Sequence, residues 1–349
     1  MARSRFVLAL IVWLTTSLSG FPQKAAADQQ ILDFDLALKQ YLEVEKKIGG
    51  YIRTPNGRLH YLRIGPRTGQ TLIWLHGTYG HAYDFLDFAD ILAARGYQVI
   101  ALDYYGHGQT KIPEHPVSIY HLADDLKMLM DHLVIDGAIV GGLSRGGTIA
   151  TAFYDAYPER VKALILADGG SVSWVTEVQK LSEEEAGQRF GQFEAPVSQA
   201  YPTQRQAYDA LQFGPDSSKH FRKLNAIQYI DTVGWSFNYN LAQWLWEDNL
   251  EHVLDGAFRP TTVPLFEASN TMLNPSIVYR NLDVPMLIID PVKAGDWLMD
   301  FEDENRALRD QHPEWITHLI YEDTYHNMQL DQPEQFRSDI LAFLKKVGR

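Results

Sequence analysis

From residue 71 onward, short and solidly apolar runs alternate with longer stretches in which apolar residues return every three to four positions. Thr71–Leu75, Tyr97–Leu102, Ala138–Gly142 and Val161–Ala167 read as strands buried on both faces. Tyr83–Arg95, Ser118–Leu133 and Arg145–Tyr157 have the helical period. This βαβα order predicts an α/β fold, a mostly parallel sheet wrapped by helices. Ahead of it lie a helical lead-in over Ile31–Ile48 and two strand patterns, Gly50–Thr54 and Arg58–Ile64. The Pro55-Asn56-Gly57 sequence between them predicts a hairpin. The alternation stops near residue 171. It resumes with a strand at Val284–Ile289, a helix at Glu302–Gln311, a strand at Ile316–Tyr321 and a helix at Pro333–Val347. Residues 171–282 are too many for a connecting loop. Helical patterns at Glu183–Phe193, Gln204–Phe213 and Asn238–Leu254 predict an inserted, mainly helical lid over a core built from 28–170 and 283–349.

The first residues follow a different pattern. Arg3 and Arg5 precede an apolar run from Phe6 to Leu14, and the small residues Ala25-Ala26-Ala27 follow before Asp28. This is the layout of a secretory signal peptide over 1–27, cleaved near Ala27. The apolar run is short for a membrane span. The expected location is therefore secreted or periplasmic, with no stable membrane insertion once the segment is removed. The chain contains no Cys, which excludes disulfides, thiolate catalysis and Cys-based metal sites. The formal net charge of -13, with no basic run, argues against nucleic acid as a partner.

One short sequence carries chemistry in a telling place. Gly142-Leu143-Ser144-Arg145-Gly146 matches G-x-S-x-G directly after a predicted strand and directly before a predicted helix. That context is what a nucleophile elbow needs: a sharp turn lifts the Ser144 hydroxyl off the sheet and sets it at a helix N-terminus. A serine hydroxyl is a poor nucleophile without a base. His326, past the last strand and before the last helix, is the candidate base, because the chain order Ser…acid…His puts it there. His60, His220 and His318 fall in strand-like or helical stretches and read as structural; His107 and His115 lie in a loop that could border the site. The acid that orients the imidazole has three candidates at strand ends: Asp296 first, then Asp290 and Asp168. Two backbone donors should receive the oxyanion, from Arg145 and from Thr78 in the loop after the first core strand, with Tyr79 as the alternative to Thr78. The Arg145 side chain itself reads as a surface ion pair. Tyr79, Trp235 and Trp244 are candidate pocket residues, the last two from an aromatic-rich part of the lid.

Leu-His-Gly-Thr at 75–78, Ala-Leu-Asp-Tyr-Tyr-Gly-His-Gly-Gln-Thr at 101–110, Gly-Gly-Leu-Ser-Arg-Gly-Gly at 141–147 and Asp-Thr-Tyr-His at 323–326 occur in that order. Together they resemble the α/β-hydrolase superfamily, in its serine-hydrolase branch with a helical lid between strands six and seven. The resemblance covers about residues 50–347 apart from the lid. It implies an eight-stranded sheet and a Ser-Asp-His triad, with Asp103 and His107 serving loop structure. Two positions depart from the common pattern: Tyr325 stands where many members carry Gly, and the segment leading to Asp296 is longer than the usual turn. Haloalkane dehalogenases and epoxide hydrolases of this fold carry Asp at the elbow, whereas Ser144 implies acyl transfer to water. The expected function is cleavage of a small or medium carboxylic ester without metal or organic cofactor. The alternatives are a lactonase, an aminopeptidase resembling proline iminopeptidases, a C–C bond hydrolase or, in a different class, a non-enzymatic binding protein.

Overall fold

The computed structural model describes residues 31–190, 199–231, 233–237, 250–293 and 300–348. The expected signal segment 1–27 lies outside them. In chain order the strands are β1 (Gly49–Thr54), β2 (Gly57–Ile64), β3 (Thr71–Leu75), β4 (Gln98–Leu102), β5 (Ala138–Leu143), β6 (Val161–Ala167), β7 (Ile227–Ile230), β8 (Gly234–Phe237), β9 (Met286–Val292) and β10 (Ile316–Glu322). The main described helices are α1 (Phe34–Ile48), α2 (Leu86–Ala93), α3 (Ile119–Leu133), α4 (Arg145–Ala156), α5 (Glu183–Phe190), α6 (Gln204–Asp209), α7 (Leu250–Phe258), α8 (Leu265–Met272), α9 (Glu302–Gln311) and α10 (Pro333–Val347).

Eight strands form one sheet in the order β1-β2-β4-β3-β5-β6-β9-β10. The hairpin β1-β2 lies antiparallel on β4, and every pairing from β4 through β10 is parallel. Because successive side chains point to opposite faces, each central strand feeds two cores. Ile73, Leu75, Val140, Leu164, Leu166 and Ile288 pack under α3 and α4. Leu72, Trp74, Ile139, Ile165, Leu287 and Ile289 pack against α1, α2 and α10, where Phe34, Phe88 and Phe336 meet them. Burial on both sides explains why these strands read as unbroken apolar runs.

Helix limits follow local chemistry. Asp33 Oδ1 accepts the Asp35 N–H at 2.9 Å to start α1, so the helix begins three residues later than the apolar pattern suggests. Ser118 Oγ caps α3 by accepting the His121 N–H. The Tyr83–Arg95 pattern divides into a 3₁₀ turn, Ala82–Phe85, and the short α2. Within 171–282 the described residues hold α5 to α8 and also an antiparallel pair, β7-β8, with Tyr201 bridged to Trp235. That pair departs from the mainly helical expectation. Its four-residue strands are too short for their alternation to stand out from sequence. Residues 238–249 of the expected helix Asn238–Leu254 lie outside the described residues. No described helix is long and apolar enough to cross a membrane.

The N-terminal helix is tied to the sheet through a buried imidazole. His60 on β2 donates from Nδ1 to Asp103 Oδ2 at 2.6 Å and from Nε2 to Glu45 Oε2 of α1 at 3.2 Å. Tyr83 Oη donates to the other Glu45 oxygen at 2.6 Å. Burial opposes charge on His60, but the two carboxylates outweigh it and raise its pKa from 6.5 to about 9. Because the folded value lies above the unfolded one, the stabilisation is complete below about 6.5 and is lost as pH rises through about 9. In denaturant melts, the stability gap between the wild type and His60→Gln should shrink steadily from pH 6.5 to pH 9.5. A gap independent of pH would show that His60 is neutral in the fold.

Candidate active site

Ser144 joins β5 to α4 at φ 55° and ψ -124°, a conformation that L residues with side chains rarely adopt. The turn is held by its neighbours. Ser144 N–H donates to Ala167 O at 2.9 Å, and Ser144 O accepts from Gly147 N–H at 2.9 Å. There is no room for larger residues two positions either side. A Cβ on Gly142 would lie 2.4 Å from the Gly146 carbonyl carbon, and one on Gly146 would lie 2.1 Å from Leu75 O. The small residues of the pentapeptide are thus a packing requirement of the turn. Ser144 itself is half-buried and stands where the first N–H groups of α4 have no intrahelical acceptor.

His326 follows β10 in a loop, and its Nδ1 donates to Asp168 Oδ2 at 2.5 Å. Its side chain is 17% exposed, while that of Asp168 is fully buried. Burial pushes the Asp168 carboxyl up, against the pull of the His326 ring. Asp168 ends β6, the strand beside β5, at φ 46°. The next residue, Gly169, lies against the elbow: a Cβ there would sit 2.2 Å from Ser144 O. The imidazole–carboxylate pair is therefore one strand away from the serine.

Among the described residues, the acid candidate on the His326 ring is Asp168, placed third by sequence after Asp296 and Asp290. Asp296 lies outside the described residues, as does Trp244. Asp290 also ends a strand but faces elsewhere: its Oδ2 accepts from His318 Nε2 and from Asn305 Nδ2, both at 3.1 Å. Asp168 and Asp290 both end strands, so local pattern ranks them alike, and the sheet order separates the two. The sequence did contain a signal for Asp168, the Gly169-Gly170 that follows it and permits close approach to the elbow.

The loop after β3 is fixed from two sides. On one side, Tyr79 sits at φ 66°, and its N–H donates to His107 Nε2 at 3.3 Å. His107 Nδ1 in turn donates to Tyr105 O at 2.9 Å. Burial, reinforced by His76, holds the His107 pKa well below the usual histidine value. The neutral ring can thus keep one nitrogen as acceptor. Tyr79 N–H is committed to this bond, which favours Thr78 over Tyr79 as the oxyanion donor. On the other side, the Arg145 side chain turns inward, contrary to the expected surface ion pair. Its Nε donates to Thr78 Oγ1 at 3.0 Å and its Nη1 to Glu267 Oε2 at 2.7 Å. The Arg145 and Glu267 side chains are 4% and 2% exposed. Glu267, on α8, escaped sequence reading, although a lone acid between Phe266 and Ala268 in an apolar helix is a recognisable mark of a buried partner. Trp235 sits on β8 with its ring edge-on to Tyr229 at 5.5 Å, packed onto the core beneath α1 and α2.

A family profile described as the alpha/beta hydrolase fold matches residues 70–333. Over 33% of its length this chain is 31% identical to "Epoxide hydrolase 1" of Caenorhabditis elegans, covering 29% of that protein. Over a similar 33% it is 38% identical to a 2-hydroxy-6-oxononadienedioate/2-hydroxy-6-oxononatrienedioate hydrolase of Paraburkholderia phymatum, covering 41% of it. The match thus spans about a third of these curated relatives. Among solved structures, the thioesterase domain from the curacin biosynthetic pathway superposes with a TM-score of 0.59 at 15% identity, over 84% of this chain and 98% of that one.

The elbow packing can be tested by stability alone. Gly146→Ala places a methyl against backbone that cannot retreat, and it should cost about 1–3 kcal/mol in urea unfolding. Unchanged stability would mean that β3 and α4 are not held as closely as described.

Proposed function

This chain belongs to the α/β-hydrolase family, and on that premise we propose that it is an exported serine hydrolase cleaving a small or medium carboxylic ester. The observation that carries the reading is the strained Ser144 at a helix N-terminus with the His326–Asp168 pair one strand away. Ser144 Oγ attacks the ester carbonyl carbon while His326 Nε2 takes its proton. Asp168 holds the Nδ1–H and stabilises the imidazolium. The N–H groups of Thr78 and Arg145 receive the oxyanion. His326 returns the proton to the departing alkoxide, leaving an acyl-enzyme on Ser144. Water, deprotonated by His326, attacks that acyl carbon, and His326 then returns the proton to Ser144 Oγ as its bond to the acyl carbon breaks and the carboxylic acid leaves. None of these steps requires a metal or organic cofactor.

Export is supported by Arg3, Arg5, the apolar run from Phe6 to Leu14, Ala25-Ala26-Ala27 and a composition without Cys. The similarity to epoxide hydrolases does not carry their chemistry over, because an alkyl-enzyme ester needs a carboxylate nucleophile and this elbow holds Ser144. A second reading, hydrolysis of a C–C bond in a keto acid, is favoured by the 38% identity to the dienedioate hydrolase. It uses the same Ser144 and His326.

Two experiments test the proposal. A fluorophosphonate should label the wild type and fail to label Ser144→Ala, and p-nitrophenyl esters should be turned over. Turnover of aminoacyl anilides alone would overturn the ester reading, and turnover of a vinylogous diketone alone would favour C–C hydrolysis. Within the same assay, Asp168→Asn should lower kcat by about 10⁴, whereas Asp296→Asn should leave it within a few-fold. The reverse ranking would return the acid role to Asp296.

A further inference from the structure

Glu267 and Arg145 form a closed charge pair that the ester mechanism does not use. Both Glu267 oxygens are engaged: Oε2 by Arg145 Nη1 at 2.7 Å, and Oε1 by Asn270 Nδ2 and Thr271 Oγ1 at 3.4 and 3.5 Å. The carboxylate is thus fixed by its own helix before it meets the guanidinium. The guanidinium outweighs its own desolvation through Glu267, which raises the Arg145 pKa and keeps it charged. Its remaining described contact is the one that matters for reactivity. Nε donates to Thr78 Oγ1 at 3.0 Å, in the residue whose N–H would receive an oxyanion. Arg145 is also the residue whose own N–H would be the second donor. One side chain therefore spans both halves of the oxyanion hole and anchors them to α8, which lies between β6 and β9 in the chain and within the 171–282 interval.

We propose that Arg145 and Glu267 are positioning residues that set the distance between the two oxyanion donors, so that the hole is assembled only when α8 is seated. A surface ion pair would do little here, because water screens it. A buried guanidinium with a fixed carboxylate behind it has one low-energy place for Nε, and Thr78 Oγ1 occupies it. His107 holds the following residue by accepting the Tyr79 N–H, so the loop cannot slide to compensate if the Arg145 contact is lost. Small displacements of a donor are costly to rate: misplacing a catalytic group by about 1 Å can cost roughly 100-fold. Because the oxyanion develops in the transition state, the cost falls on kcat rather than on substrate binding.

This inference rests on the acyl-transfer reading, and the test separates the two. On the full chain, kcat and KM for p-nitrophenyl acetate and the rate of fluorophosphonate labelling are measured for the wild type, Glu267→Gln, Thr78→Val and Thr78→Ser. Thr78→Val keeps the shape of the side chain and the Arg145–Glu267 pair but removes the acceptor, so it reports even where Glu267→Gln fails to fold. The expected result is a kcat about 10–100-fold lower in Thr78→Val and in folded Glu267→Gln, with KM within about threefold. Thr78→Ser, which restores the oxygen, should recover most of the loss. A folded Thr78→Val that labels and turns over like the wild type overturns the inference alone. So does a loss carried entirely by KM, or one that Thr78→Ser does not rescue. A wild type that neither labels nor hydrolyses esters overturns the acyl-transfer reading and this inference with it.

Discussion

The arrangement at the C-terminal edge of the sheet depends on one backbone turn. Ser144 at φ 55° is a conformation that costs of order 1–3 kcal/mol and persists only where its surroundings leave no alternative. Those surroundings are backbone. The Leu75 carbonyl of β3 presses on Gly146, and Gly169 presses on the Ser144 carbonyl. The consequence reaches beyond strain. Because β3 and β6 both close on the elbow, the loop that follows β3 and Asp168, which follows β6, are brought to its two sides.

Three of the buried charge clusters in the described residues differ in how far they are closed to water. Asp103 and His60 are sealed between β2 and β4 and are met by the partly exposed Glu45 of α1, with Asp103 also accepting the Ala82 and Gln109 N–H groups at 2.6 and 3.0 Å. Arg145 and Glu267 are sealed between α4 and α8. Glu45 of the first cluster and His326 of the Asp168–His326 pair both keep contact with solvent, at 16% and 17% exposure, whereas Arg145 and Glu267 do not. A sealed pair resists a change in protonation because either partner alone would be an unpaired buried charge. A pair open at one end can exchange its proton. Exposure thus sets the sealed Arg145–Glu267 pair apart from the two in which one partner reaches water.

The same distinction explains what could be read from sequence. The strands β3 to β6 were legible because burial on both faces leaves an unbroken apolar run, and the elbow was legible because its glycines are a local steric demand. The limits of α9 and α10, Glu302–Gln311 and Pro333–Val347, came out as expected because acidic first turns, or proline there, signal helix starts locally. The partner of His326 did not. Asp168 and Asp290 both end strands, and apart from the Gly169-Gly170 after Asp168 what distinguishes them is β6 lying next to β5, a long-range fact of strand order. Arg145 failed for a related reason: whether an arginine after the elbow points to water or inward is decided by Glu267, more than a hundred residues later. The β7-β8 pair was missed because four-residue strands carry too few alternations to be distinguished from loop.

What the core and the 171–282 interval each contribute can be argued from the same contacts. The sheet carries Ser144, Asp168 and the loop after β3 at the ends of its strands, anchored by main-chain packing that a change of side chain can barely adjust. The interval supplies Glu267, which acts through a side chain on a side chain and so is adjustable. A contact of that kind can shift the loop after β3 without touching the elbow. The division also fits the extent of the similarities. The fold extends across 84% of the chain at 15% identity, because backbone packing sets it and many side chains satisfy that packing. Arg145, Thr78 and Glu267, by contrast, are joined side chain to side chain, as a linked set at the loop after β3.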